Sequence, residues 1–176
     1  MTGITKFSNT SIFSAFNNLQ DISLDVEFGT LLGYTEKEIK HYFADYLSQA
    51  AEALSMTKEK VMDNLRVNYS GFCFDEEVAT SVYCPWSVLN LLNRPKKGFQ
   101  NYWYTSGGQP SVLMKNLANH ALSEPISYSE NKVLRLSDLN ASRQYDEVDL
   151  DVLLTQAGYY TIREVTDDKY VFFRLP

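Results

Sequence analysis

The sequence predicts a mainly α chain with short β elements, an α+β fold. Three features predict it. A capped amphipathic pattern starts at Thr35, prolines stand at two helix starts, and two β-rich runs flank a polar turn near the C-terminal end. In order along the chain, Met1-Thr2-Gly3-Ile4-Thr5-Lys6-Phe7 reads as a short β-type run that stops at a small polar turn. A strand there needs a partner, so the chain is expected to be the back part of a larger nucleotide-handling domain. Ile22, Leu24, Val26 and Phe28 alternate with polar neighbours at the strand period. The preferred reading is a short strand ending near Asp25, which then caps a helical turn carrying Phe28, Leu31 and Leu32 and stopping at Gly33.

The strongest helix signal follows. Thr35 and Glu38 form a T-x-x-E capping box, in which each side chain satisfies the other residue's backbone N–H. Beyond it Ile39, Tyr42, Phe43, Tyr46, Leu47, Ala50 and Leu54 fall at helical spacing and predict one continuous helix. A second helix is expected over about 57–69, with Val61, Met62 and Leu65 inward and Gly71 as its stop. Phe72-Cys73-Phe74, the acidic Asp75-Glu76-Glu77 and Val82-Tyr83 suggest a small hairpin or an ordered loop, with the acidic residues as a solvated turn. Pro85 sits at a first helical position, where its missing N–H costs nothing, ahead of Trp86, Val88, Leu89 and Leu92. Arg94 to Gly98 is a basic, turn-rich connector. Pro110 opens another helix with Leu113, Met114, Leu117 and Ala121.

The last third changes character. Val133 to Leu136 predict a short strand, and Asp149 caps a helix with Leu150, Val152, Leu153 and Leu154 that Gly158 closes. Tyr159 to Val165 and Tyr170 to Leu175 flank Thr166-Asp167-Asp168-Lys169, a hairpin signal. Helix then hairpin fits a winged-helix-like end. The expected organisation is thus an α/β segment over 1–34, a helical region over 35–132 and a winged-helix-like region over 133–176.

With 176 residues, 44% of them apolar and only 22% charged, the chain has globular composition. Its 12 Tyr, 10 Phe and 2 Trp make a sizeable core feasible. A net charge of −6 repels a phosphate backbone and disfavours a free-standing nucleic-acid binder. Cys73 and Cys84 form no C-x-x-C pair and are read as buried reduced thiols. No secretory apolar segment follows Met1, and no run is long enough to span a membrane, so a soluble, cytoplasmic chain is expected.

Catalytic motifs are missing from the sequence. A phosphate-cradling loop needs G-x-x-x-x-G-K-[ST], but Gly29 and Gly33 stand one residue too close, with Tyr34-Thr35 where Lys-Ser or Lys-Thr is required. There is no G-x-S-x-G elbow and no H-E-x-x-H. His41 and His120 are read as surface or boundary histidines. Glu147, Asp149 and Asp151 lack the glycine and closing glutamate of a calcium loop and read as a cap with a solvated first turn. Thr2, Thr5 and Lys6 are the most suggestive polar set, because α/β folds place ligands at such strand ends. Trp103 offers a stacking platform, although core packing is the plainer reading. Arg94, Lys96 and Lys97 make a small basic patch suited to a weak anion or partner contact.

Several phrases together carry a family likeness. They are Thr2-Gly3-Ile4-Thr5-Lys6-Phe7-Ser8, Asn17-Asn18-Leu19-Gln20-Asp21-Ile22-Ser23-Leu24-Asp25, Leu32-Gly33-Tyr34-Thr35-Glu36, Tyr69-Ser70-Gly71-Phe72, Tyr83-Cys84-Pro85-Trp86-Ser87-Val88-Leu89, Asn101-Tyr102-Trp103-Tyr104-Thr105-Ser106-Gly107 and Leu154-Thr155-Gln156-Ala157-Gly158-Tyr159. Their order and spacing resemble the predicted AAA-ATPase-like proteins of bacteria, P-loop ATPases often followed by a PD-(D/E)XK nuclease-like domain.

The likeness implies an upstream P-loop core, with residues 1–34 ending that core, 35–132 forming a helical lid and 133–176 a winged-helix-like tail. It implies that Thr2, Thr5 and Lys6 lie near the nucleotide phosphates, and that ATP and magnesium serve the full-length protein. No cofactor is expected for this chain alone. The implied partners are the N-terminal core and a C-terminal nuclease-like domain. The phosphate loop and the acidic magnesium-binding strand have no counterpart here, and Cys84 stands where an Asn before the proline is more usual. The leading expectation is therefore a portion that is not catalytic in isolation. The alternative is a module that binds protein or nucleic acid, with Arg94, Lys96, Lys97 and Trp103 as its surface. A stand-alone enzyme would have only Lys6, His41 and His120 to work with.

Overall fold

The structure is a computed structural model that describes residues 20–102, 130, 132–140 and 148–174. The expectations for Thr2, Thr5, Lys6, Trp103, His120, Glu147 and the Pro110 helix lie outside these residues. The architecture is α+β: six α-helices and two small antiparallel sheets among the described residues. The chain divides into two compact units. One, here the helical unit, contains residues 29–73 and 80–102. The other, the sheet unit, contains 20–28, 74–79 and the described residues from 130 onward.

In the helical unit, α1 (Glu36–Tyr42) starts from the expected capping box. Glu38 N donates to Thr35 Oγ1 at 3.2 Å while Thr35 N donates to Glu38 Oε2 at 2.8 Å. The single long helix expected from the periodicity is two. Phe43 leaves helical geometry at φ −110° and ψ 21°, and α2 (Ala44–Ala53) begins after it. The break turns the Phe43 ring edge-on to Tyr34 at 5.2 Å, against the core. Tyr42 and Tyr46, expected inward, are consequently 71% and 50% exposed. Next, α3 (Lys58–Tyr69) is capped by Thr57 and buries Val61, Met62 and Leu65 as its spacing predicts, together with Tyr69.

Two short strands, β1 (Ser70–Phe72) and β2 (Val82–Tyr83), pair antiparallel and lead into α4 (Pro85–Asn93), with Pro85 at its first turn. Tyr34 bridges to the other side of Tyr83 through N–H···O bonds of 3.1 and 2.8 Å. This draws Gly33 so close to β2 that an added Cβ would lie 2.3 Å from Val82 Cγ2 and 3.1 Å from the Tyr83 carbonyl oxygen. Neither cysteine is in a disulfide. Cys84 N bonds Tyr69 O before β1 begins, whereas Cys73 follows its other end. Roughly 10 Å of strand rise lies between these positions, beyond the reach of a disulfide.

A loop clasp completes the core. The Tyr69 hydroxyl donates to Gln100 O at 2.9 Å and accepts from Gln100 N at 3.0 Å. Burial pushes that phenol up to about 12, so it remains a neutral donor.

In the sheet unit, the strand expected over residues 22–25 is absent. Asp21 and Asp25 bend this segment instead, accepting from Ser23 N and Glu27 N and leading into a 3-10 turn at Val26–Phe28. Short polar side chains that bond backbone two residues ahead compete with an extended ladder. The acidic turn also differs from expectation. Asp75 is 1% exposed, and its Oδ1 accepts from Glu77 N and Ala79 N, so it organises the loop from inside.

Further on come β3 (Lys132–Arg135), α5 (Leu136–Asn140), α6 (Leu150–Gln156), β4 (Thr161–Val165) and β5 (Tyr170–Arg174), with sheet order β3-β5-β4. The β4–β5 turn carries Lys169 at φ 61°. Leu136, Leu139, Val152, Leu153, Ile162, Val171 and Phe173 are buried. Asp149 caps α6 by accepting from Asp151 N at 2.8 Å. Asp149→Ala is expected to cost about 1 kcal/mol, read as a lower urea midpoint of the sheet-unit transition.

Candidate functional site

Polar groups converge most densely on α1 and α3 of the helical unit. Glu36, in the first turn of α1, is placed there by the Thr35 cap. Its Oε1 accepts from Lys40 Nζ at 2.6 Å, one helical turn on. Its Oε2 accepts from Arg66 Nη2 at 2.9 Å, Arg66 Nε at 3.3 Å and the Tyr83 hydroxyl at 3.1 Å. Arg66 uses its remaining arm on Asp63 Oδ1 at 2.9 Å. One carboxylate thus ties α1 to α3 and β2.

These donors all favour the ionised acid. The Lys40 ammonium first, then the Arg66 guanidinium, hold Glu36 down at about 2, from an ordinary 4.5. Tyr83 moves the other way, pushed up to about 12 by burial and then by the adjacent Glu36 charge. At neutral pH Glu36 is fixed as a base conjugate and Tyr83 as an acid, each several units from where a proton would move. The cluster is therefore suited to holding shape and presenting charge, not to general acid–base catalysis. Beside it, a groove of about 450 Å³ sets Lys40, Lys58 and Arg66 against Glu59 and Asp63, so its charges largely balance.

A second feature lies on α4 of the same unit. Trp86 is 50% and Leu89 42% exposed, and Trp86 Nε1 donates to Tyr102 O at 3.1 Å. The helix ends in a 3-10 turn, Pro95–Lys97, on which Arg94, Lys96 and Lys97 are all exposed. None of the three makes an ion pair among the described residues. Of the residues expected to act, these three are brought together; Thr2, Thr5, Lys6 and Trp103 lie outside the described residues. His41 is exposed and stacks edge-on with Tyr42 at 4.8 Å.

The Glu36 hub escaped the sequence reading. Its Lys40 partner was visible as an i,i+4 pair, but Arg66 is thirty residues away and carries no local signal. Nothing local in the sequence marks the exposure of Trp86 on its helix. Among the described residues no cluster of His, Cys, Asp or Glu could hold a metal ion, and no helix is long and apolar enough to cross a membrane.

No family model and no solved structure matches the chain. Over 165 residues, 94% of its length, it is 31% identical to an uncharacterized protein in the vnfD 5' region of Azotobacter chroococcum mcd 1. The chain spans 28% of that relative's length.

Proposed function

We propose that this chain is the lid-containing, winged-helix-like portion of a cytoplasmic AAA-type ATPase, working with a nucleotide-gripping core carried on a separate stretch of polypeptide. The observation that carries the reading is the topology of the sheet unit. Two helices, α5 and α6, separate β3 from the β4–β5 hairpin, and β5 lies between the other two strands. That order, first strand beside third, is the arrangement a winged-helix-like tail requires. The helical unit, four helices around a two-residue hairpin strand, suits a lid. The relative's greater length fits a chain that works as part of something larger.

Within this reading the winged-helix-like end is a protein contact. The charges on and capping α6, which stands where such folds carry their recognition helix, are Asp149 and Asp151. Burial and the neighbouring Asp149 raise Asp151 while Lys132 lowers it, and none of this attracts phosphate.

The coding sequence upstream of Met1 is expected to specify G-x-x-x-x-G-K-[ST]. ATP hydrolysis by the joined segments is expected to fall by at least about tenfold when residues 29–73 and 80–102 are replaced by flexible linkers, because a lid completes and closes the site. No such loop upstream, or hydrolysis unchanged by the replacement, would contradict the proposal.

A further inference from the structure

We infer that the exposed face of α4 and the turn after it form a docking surface for an acidic amphipathic segment of another protein. The inference goes beyond the ATPase reading and stands on the helical unit alone.

Charge segregation is the first observation. Residues 78–123 contain no Asp or Glu, in a chain whose net charge is −6, yet hold Arg94, Lys96, Lys97 and Lys115. Three of these cations follow α4 directly, exposed and without a carboxylate partner among the described residues. Elsewhere in the unit the cations are interleaved with acids: Lys40 and Arg66 pair with Glu36, Lys37 stands between Glu36 and Glu38, and Lys58 and Lys60 flank Glu59.

Preorganised apolar area is the second. Trp86, Leu89 and Asn93 fall at helical spacing on one solvent-facing stripe that runs into the basic turn. The indole is not loose. Its N–H is held by Tyr102 O, and the same loop is fixed by Tyr102 Oη donating to Gly98 O at 2.8 Å and by the Tyr69–Gln100 pair. A Trp held in place this way concentrates binding energy, since little side-chain freedom is lost on contact.

Cations at one end of an apolar stripe select a partner with carboxylates beside apolar anchors. The chain's overall negative charge, and a basic patch this small, disfavour nucleic acid.

The test uses the whole chain and a fluorescein-labelled helical peptide with glutamates on one face and leucine and phenylalanine on the other. The controls are the same peptide with Gln for every Glu, and an oligothymidylate. The glutamate peptide is expected to bind with a Kd on the order of 10–100 μM and to shift the Trp86 indole N–H resonance. The Gln peptide is expected to bind at least about tenfold more weakly, as is the glutamate peptide to the Arg94→Glu/Lys96→Glu/Lys97→Glu variant. All three substitutions are at exposed positions, so an unchanged thermal melt certifies the fold. Absence of binding, binding indifferent to the triple variant, preference for the oligothymidylate, or occupation of the face by a second copy in sedimentation would each overturn the inference.

Discussion

Gly33→Ala is expected to destabilise the helical unit by about 1–3 kcal/mol. The new methyl would stand 2.3 and 2.5 Å from Val82 Cγ2 and Cβ, and Val82 is fully buried. Neither side can yield cheaply: the Tyr34–Tyr83 backbone bonds fix the approach, and the Tyr83 carbonyl oxygen is 3.1 Å away. The cost is read as a fall in urea midpoint at unchanged slope. Combining Gly33→Ala with Val82→Ala should cost less than the sum of the two, because the second change removes Cγ2, the nearer obstructing atom, and leaves Cβ freer to shift. Strict additivity would place the strain elsewhere. Gly98→Ala is the matching control. There an added methyl meets nothing within 4 Å, so only the backbone is penalised: φ +72° with ψ −172° is a region essentially reserved for glycine, at a cost on the order of 1–3 kcal/mol.

Glu36→Ala is expected to cost roughly 1–2 kcal/mol at pH 7. It removes the acceptor shared by Lys40, Arg66 and the buried Tyr83. The figure is held low because the Glu36 side chain is 34% exposed and its cationic partners more than half exposed, where water screens the attraction. The same carboxylate sets a pH dependence. Its folded value lies near 2, below the ordinary 4.5, so the unfolded chain takes up its proton first on acidification. The stabilisation is fully present above about 4.5 and is lost as pH falls from there toward 2. Urea midpoints at pH 6 and pH 3 should therefore converge between wild type and Glu36→Ala. A gap that stays constant would remove Glu36 as the hub.

Caps, a helix-opening proline and a turn between β runs are legible locally, whereas the alternation at Ile22–Phe28 is misleading because it ends in a 3-10 turn. The Thr35–Glu38 box, the Asp149 cap, Pro85 at a helix start and the hairpin around Thr166–Lys169 each depend on neighbours within four residues. What depends on distant contacts was not legible. Periodicity ran straight through Phe43, because only the packing of its ring against Tyr34 reveals the break. Acidic turns are usually solvated, whereas the burial of Asp75 comes from folding the loop around its own carboxylate. The approach of Gly33 to β2 is a long-range pairing, as are the Glu36–Arg66 pair and the Tyr69–Gln100 clasp. At the candidate surface the basic residues were evident from composition, but the Trp86 and Leu89 stripe was not. A Trp within an apolar helix reads as core until its neighbours are placed.

The most direct test of the account is calorimetric titration of this chain alone with MgATP. A phosphate site needs a cradle of backbone N–H groups, a lysine and a metal carboxylate acting together. Without that loop in the sequence, no binding tighter than about 1 mM is expected. Stoichiometric binding with a micromolar Kd would contradict the assignment of nucleotide gripping to a separate core.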